Sequence, residues 1–330
     1  MDDGDQRRLG FGRRCRDDSR PAGDCWLLTG DKYFASNASA ELAVAAARPE
    51  GAAAGVRGLA LFLVPRYRHG GELNYFIRRL KDKIGTRVPT GEVELKQSQG
   101  YLLGSAESGI YLILEVLNLS RVANSVVNVA LAQRAMADAL SYAEQLAAFG
   151  KRILDHPQLR HQFENRLTAL RSAFALAWDS VQLLNDVWME RLPYSDRYHL
   201  FRLVAHLAKY WTAEFAVETA KWAMEVHAGL GGLAEYGAER WLREAMILAI
   251  WEGTSHRHIL DGLEVMERKR AHKMLFRGLA EIASSKELQD MESEVEQHLK
   301  LPPEEREALA EPLFRRLAIL TAETLARKSG

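Results

Sequence analysis

Three long stretches of this chain contain neither glycine nor proline: Ile110 to Phe149, Gln158 to Leu192 and Tyr194 to Ala228. A backbone without those residues has few places to turn. Within the runs apolar residues recur at three or four positions, as at Met136 and Leu140 or Leu146 and Phe149. A stripe at that period must be covered by another surface. The breaks are short: Gly150 to Pro157, Pro193, and the glycine-rich "HAGLGGLAEYG". Long helices joined by short connections predict an all-α, up-down bundle.

Upstream the pattern changes. "WLLTGDKYFASN" places Thr29-Gly30-Asp31 as a turn between two apolar-aromatic runs, and "GVRGLALFLVPRY" is a buried strand closed by Pro65. Glu92-Val93-Glu94-Leu95 alternates as a half-buried strand does. A small antiparallel β domain followed by the bundle makes the fold class α+β. The expected divisions are 25–112 for the β domain, 113–266 for the bundle and 267–330 for a helical extension. Residues 1–24 are set apart as a leader.

Lys+Arg and Asp+Glu both number 44, so net charge supplies no attraction to nucleic acid, anionic membrane or acidic substrate. The extension is balanced too, with 12 basic and 12 acidic residues from Glu267 onward, and nucleic acid is not an expected partner. Cys15 and Cys25 form neither a disulfide framework nor a metal cluster, so a reducing cytoplasm is the expected compartment. No apolar stretch reads as long enough to span a bilayer, and no apolar signal core opens the chain, so no membrane is expected either.

One segment raises a chemical question. In "REAMILAIWEGTSHRHILDGLEVM" an apolar helix ends at Trp251-Glu252-Gly253-Thr254 and a second helix begins at once. A carboxylate beside tryptophan at a hydrophobic tip is either a solvated helix end or a base whose pKa burial raises. Alone, the motif favours the solvated end.

Taken in order, the pieces from about Trp26 to Met266 resemble the acyl-CoA dehydrogenase family. "LTGDKYFASN" is similar to the family's G-x-K-x-aromatic-x-Ser/Thr-Asn segment, and "LKDKIGTRVPTGEVEL" to its K-x-G-x-R turn and following strand. "LNLSRVANSVVNVALAQRAMADALSYAEQLAAFGKRI" resembles its first long bundle helix, and "EVHAGLGGLAEYGAERWLREAMILAIWEGT" its late glycine loop and base segment. The wording of "RRLKDKIG" and "AMEVHAG" is similar to the adaptive-response, AidB-like branch.

The resemblance implies a partial β barrel and a bundle that together hold FAD and dehydrogenate an acyl-CoA thioester at its α and β carbons. Glu252 falls on the base that takes the α-proton while the β-hydrogen leaves as hydride to flavin N5. The backbone N–H of Glu252 would bond the thioester carbonyl, as an oxyanion donor does. Trp251 would wall the site, Gly253 would let the chain turn, and Thr254 or Ser255 would cap the next helix. Some relatives carry the base just before the arginine of the first bundle helix. Ser120 holds that place here, before Arg121, and serine cannot serve. Arg121, Trp251 and Gly253 are the implied substrate contacts. Phe34 matches the aromatic packed on the flavin and Ser36 the hydroxyl near N5. Phe149, Glu225, Gly229 and Thr254 fall at further cofactor positions. Implied partners are the acyl-CoA, an electron-transfer flavoprotein as acceptor, and further copies in a homodimer or homotetramer that share flavin sites.

Three departures stand out. Leu146 occupies the place of an arginine that reaches the flavin pyrophosphate of a neighbouring subunit, and leucine cannot pair with phosphate. Glu225 stands where many relatives place a glutamine. The family's N-terminal helical domain has no counterpart here. Residues 1 to about 20 are expected to be mis-framed, because a one-nucleotide shift in GC-rich codons restores a Thr-Glu…Gly-Ser-Asp flavin motif. The alternatives to a dehydrogenase are an AidB-like flavoprotein of the alkylation response with weak dehydrogenase activity, and a truncated, cofactor-poor fragment. No metal site is expected, since His256 and His258 are two apart on a helix and do not share a face; with His227 they read as polar helix positions.

Overall fold

The structure, a computed structural model, describes residues 18–22 and 25–329. It separates into two compact units, one ending at Leu117 and one beginning at Asn118. The proposed frame error lies mostly outside the described residues, although Asp18–Ala22 of the expected leader form a strand.

The first unit is a curled sheet. Its strands are β1 (Asp18–Ala22), β2 (Cys25–Ala35), β3 (Leu42–Pro49), β4 (Ala60–Pro65), β5 (Phe76–Leu80) and β6 (Gly91–Leu103). The pairing β2-β1-β3-β4-β6 returns to β2, because β6 pairs with β2 from Gly91 to Gly100. β5 joins β6 at residues 91–94, while β4 joins it at residues 101–103. The pairs are antiparallel except for a two-residue parallel contact between β1 and β3. Alternate residues of β6 face inward, so Val93 and Leu95 join Leu28, Ala47, Ala60, Phe62 and Val64 in the core. The expected turn at Thr29-Gly30-Asp31 is instead a bulge. β2 runs straight through, and Gly30, at φ 149°, sits at a register shift against β6.

The long α1 (Gly109–Gln145) starts in the first unit and continues into the second. There it is followed by α2 (Pro157–Val187), α3 (Asp196–Val226), α4 (Ala238–Ile250), α5 (Ser255–Lys269), α6 (Ala271–Ile282), α7 (Lys286–His298), α8 (Pro303–Ala308) and α9 (Ala310–Ala326). Pro157 opens α2, where its missing N–H costs nothing. Ser195 caps α3 by accepting from the Tyr198 N–H at 3.1 Å. α3 is the central rod, packed on α2, α4, α5, α6 and α9. The last helices belong to the same core. The Phe314 ring of α9 lies where a Cβ on Gly262 would sit, 2.4 Å away, and meets Tyr210 edge-on at 5.4 Å.

Two expectations about α1 change. It ends at Gln145, and residues 147–148 and 151–152 form the small hairpin β7–β8, closed by Ile153 N–H donating to Leu146 O at 2.9 Å. Phe149, at φ 53° on that hairpin, leaves the helix and is 96% exposed. Second, α1 is long and apolar enough to cross a bilayer by length and composition, contrary to the expectation that no stretch is. Asn118, Asn124, Ser125 and Asn128 break the run to the eye but are uncharged and buried. Asn128 donates to Asn124 at 2.9 Å, which lowers the cost of burying its amide.

Candidate active site

The turn between α4 and α5 is built from an abrupt change of backbone conformation. Trp251 is extended, Glu252 takes φ 57°, Gly253 takes φ 114°, and Thr254 is extended again before α5. A left-handed glutamate costs about 1 kcal/mol or more and persists only where its surroundings hold it. Glycine is required next: a Cβ at residue 253 would lie 3.1 Å from His258 Nε2.

The surroundings come from α1, α3 and α5. Arg121 is buried, with its Nε donating to Glu252 O at 3.2 Å, Nη1 to Asn118 Oδ1 at 2.9 Å and Nη2 to Asp261 Oδ2 at 3.4 Å. Asp261 also pairs with Arg257. From α3, the fully buried Lys209 donates its Nζ to Leu248 O at 2.8 Å, satisfying a carbonyl that the end of α4 leaves open. Burial brings its ammonium pKa down to about 7. His258 is buried as well; its Nε2 is 3.1 Å from Gly253 O and its Nδ1 3.2 Å from His206 Nδ1. Ser255 Oγ donates to Glu214 Oε1 at 2.6 Å.

Glu252 is half-buried, and burial raises its pKa; Arg121 and then Lys209 pull it back down. The carboxylate is thus partly desolvated, with two cations nearby and a tryptophan packed on the bundle core beside it. Such a group can accept a proton and hold it, which a solvated helix end does poorly. Thr254 occupies the N-cap position of α5, but its side chain makes no cap bond. Ser255, the other expected cap, is drawn to Glu214 instead.

The remaining candidates lie elsewhere. Glu225 is exposed at the far end of α3 and pairs with Lys221. Gly229 follows in an exposed turn, and Phe149 projects from its hairpin. From Lys209 to Glu225 α3 rises about 24 Å at roughly 1.5 Å per residue, so these side chains do not join Glu252 within one chain. In the β unit, Phe34 is 61% exposed and meets Tyr33 edge-on at 4.8 Å, with Lys81 Nζ 3.1 Å from the Tyr33 ring centroid. Ser36 is exposed in the adjoining turn. This aromatic shelf with a nearby hydroxyl fits a flat, polar-edged ring system such as a flavin. Leu146, half-buried after α1, offers a phosphate nothing.

Sequence reading missed His206, Lys209, Glu214 and Asp261, and it took His258 for a polar helix position. Their signal was faint: α3 carries polar residues along its whole length, among them Arg202, Thr212, Glu218 and Lys221, and nothing in the spacing sets His206, Lys209 and Glu214 apart. Of the other histidines, His256 is exposed and His227 is buried, its Nδ1 2.7 Å from Ala223 O and its ring stacked on Tyr142.

Known proteins resemble this chain in sequence and fold. Residues 107–266 match the family "Acyl-CoA dehydrogenase, C-terminal domain". The chain is 30% identical over 292 residues to AidB of Escherichia coli (strain K12), covering 85% of this chain and 50% of that protein. It is 29% identical over 257 residues to 3-methylmercaptopropionyl-CoA dehydrogenase of Ruegeria pomeroyi, covering 70% of this chain and 43% of that protein. It thus spans about half the length of these relatives. The solved structure "Bd2924 apo-form" superposes with a TM-score of 0.84 at 31% identity, covering 94% of this chain and 62% of that one. On these matches, and with a curled sheet followed by a helical bundle, the chain belongs to the acyl-CoA dehydrogenase family.

Proposed function

We propose that this protein is an FAD-dependent dehydrogenase of acyl-CoA thioesters, with Glu252 as the base. The observation that carries the reading is the Glu252 turn, a half-buried carboxylate of raised pKa on a left-handed backbone held by Arg121. In its ionised form Glu252 takes the α-proton, and Arg121 and Lys209 favour that form against the burial that raises its pKa. Its backbone N–H would donate to the thioester carbonyl, while Trp251 excludes water from one side. When bound, FAD supplies the acceptor for the β-hydrogen as hydride. Phe34 and Ser36 are the side chains suited to hold its ring, and Phe149, Glu225, Gly229 and Thr254 are further candidates for holding it.

The wider reading has an electron-transfer flavoprotein as acceptor, a homodimer or homotetramer, and a cytoplasmic setting. Self-association is supported by the stacked Phe174 and Trp178 rings, both about half exposed on α2. The second reading, a cofactor-poor protein, is favoured by Leu146 where a cation would meet phosphate.

The test is spectroscopic, then kinetic. The purified chain is incubated with FAD, desalted and scanned in the visible range, and acyl-CoA bleaching is then followed. A retained flavin band with bleaching that falls about 10³-fold in Glu252→Gln supports the base. Because the reactive form is the ionised one, the bleaching rate should rise with pH through the raised Glu252 pKa. A flavin-bound Glu252→Gln protein that bleaches at the wild-type rate would end this reading.

A further inference from the structure

Two buried imidazoles beneath the turn have no part in the proton transfer, yet their contacts admit only one neutral arrangement. Gly253 O can only accept, so the His258 Nε2 at 3.1 Å must carry hydrogen. In the neutral ring His258 Nδ1 is then an acceptor, and the His206 Nδ1 facing it at 3.2 Å must be the donor. The chain of donation is therefore fixed from α3 to the turn: His206 Nδ1–H to His258 Nδ1, and His258 Nε2–H to the carbonyl of Gly253. His206 Nε2 is left as a buried lone pair, with no partner among the described residues.

We infer that the His206–His258 pair is the positioning device for the base: it pins the Gly253 carbonyl and so fixes the left-handed Glu252 backbone at the residue after the Arg121 contact. Neither histidine is a catalytic residue; both act through the loop. The inference rests on Glu252 being the base, although the hydrogen-bond order stands without it. Arg121 on α1, Arg202 and Lys209 on α3 and Arg257 on α5 surround the pair with positive charge. With burial as the larger cause, they hold both rings neutral well below the usual histidine range. A neutral ring is what this order needs. A proton on His258 Nδ1 would set two N–H groups against each other and break the link to α3.

The experiment uses the full chain with ¹⁵N-labelled histidine. Long-range ¹H–¹⁵N correlations should report the less common Nδ1–H form for His206 and the Nε2–H form for His258, unchanged from pH 8 to about pH 6. An Nε2–H form for His206, or a ring titrating near its ordinary value, overturns the proposal. Function is read with His206→Asn, whose amide can stand in for the Nδ1–H donor, and His206→Leu, which cannot donate. Exchange of the Glu252 and Gly253 amides should be about tenfold faster in the leucine variant, as for one lost hydrogen bond, and near wild type in the asparagine variant. Where flavin is bound, kcat should fall in His206→Leu with KM little changed, and recover in His206→Asn. Equal damage in both variants would mean that the pair only fills space, and the proposal fails. If instead the tautomers and exchange behave as stated while Glu252→Gln stays active, the identity of the base is what fails.

Discussion

The middle of α3 and its finish differ in how their polar groups are satisfied. At the middle, His206, Lys209 and Glu214 turn into the protein and find partners within the chain: His258, Leu248 O and Ser255. Near its finish, Glu225 is exposed and paired only with its own helix neighbour, and Gly229 and Phe149 are exposed as well. The middle is a preorganised set of donors and acceptors, fixed before any ligand arrives. The finish presents its polar groups to solvent. On the function proposed above, one chain builds the base, whereas cofactor contacts at the finish would draw on a second participant.

The largest expected effect comes from breaking the site at the middle of α3. Arg121→Ala removes three hydrogen bonds at once and leaves Asp261 buried with Arg257 alone. Removing one partner of a buried pair costs about 3–5 kcal/mol, so the urea midpoint should fall steeply. Arg121→Lys keeps the charge without the fork and should lie between. A wild-type midpoint in Arg121→Ala would mean that the turn holds itself.

Lys209 gives a smaller, pH-dependent effect. Unfolded, it stays protonated to near its ordinary 10.5; folded, only to about 7. Between those values the unfolded chain binds more protons, so stability rises with pH across the window, and the whole cost remains below it. One proton corresponds to about 1.4 kcal/mol per pH unit. Compared with Lys209→Met, the wild type should gain roughly that much between pH 8 and pH 9 in parallel denaturant titrations. Parallel pH profiles would show that Lys209 is hydrated in the folded protein.

How much of this was legible beforehand follows from what spacing can carry. The three glycine- and proline-free runs located α1, α2 and α3, because helix needs only local continuity. They overran the end of α1, since Leu146 to Phe149 continue the apolar pattern into a hairpin whose first marker is Gly150. Gly30 misled for a related reason: a bulge and a turn both call for glycine, and only pairing with β6 separates them. Glu252 was readable as a carboxylate at an apolar tip. Its supports were not, because His206 and His258 are 52 residues apart and Lys209 meets Leu248 across 39. Contacts of that separation are set by packing of whole helices.

The smallest effect comes from a repair near the finish of α3. Leu146 sits just after α1, its carbonyl holding the base of the hairpin through Ile153 N–H. That bond uses backbone alone, so a side-chain change leaves the hairpin closed. Lys151 is exposed on the paired strand, which makes the neighbourhood already cationic. Leu146→Arg would add a guanidinium able to fork two phosphate oxygens, against the loss of a half-buried leucine worth about 1 kcal/mol or less. FAD retention should tighten about tenfold, as expected for one charge-assisted hydrogen bond in a solvated setting. The gain should shrink with salt, because the new charge is screened. If self-association supplies the flavin's other contacts, the gain should also vanish on dilution to monomer, which titration of FAD at two protein concentrations would reveal. An arginine that tightens FAD equally at all concentrations would place the whole cofactor site within one chain, and the contrast between the middle and the finish of α3 would then be one of exposure only.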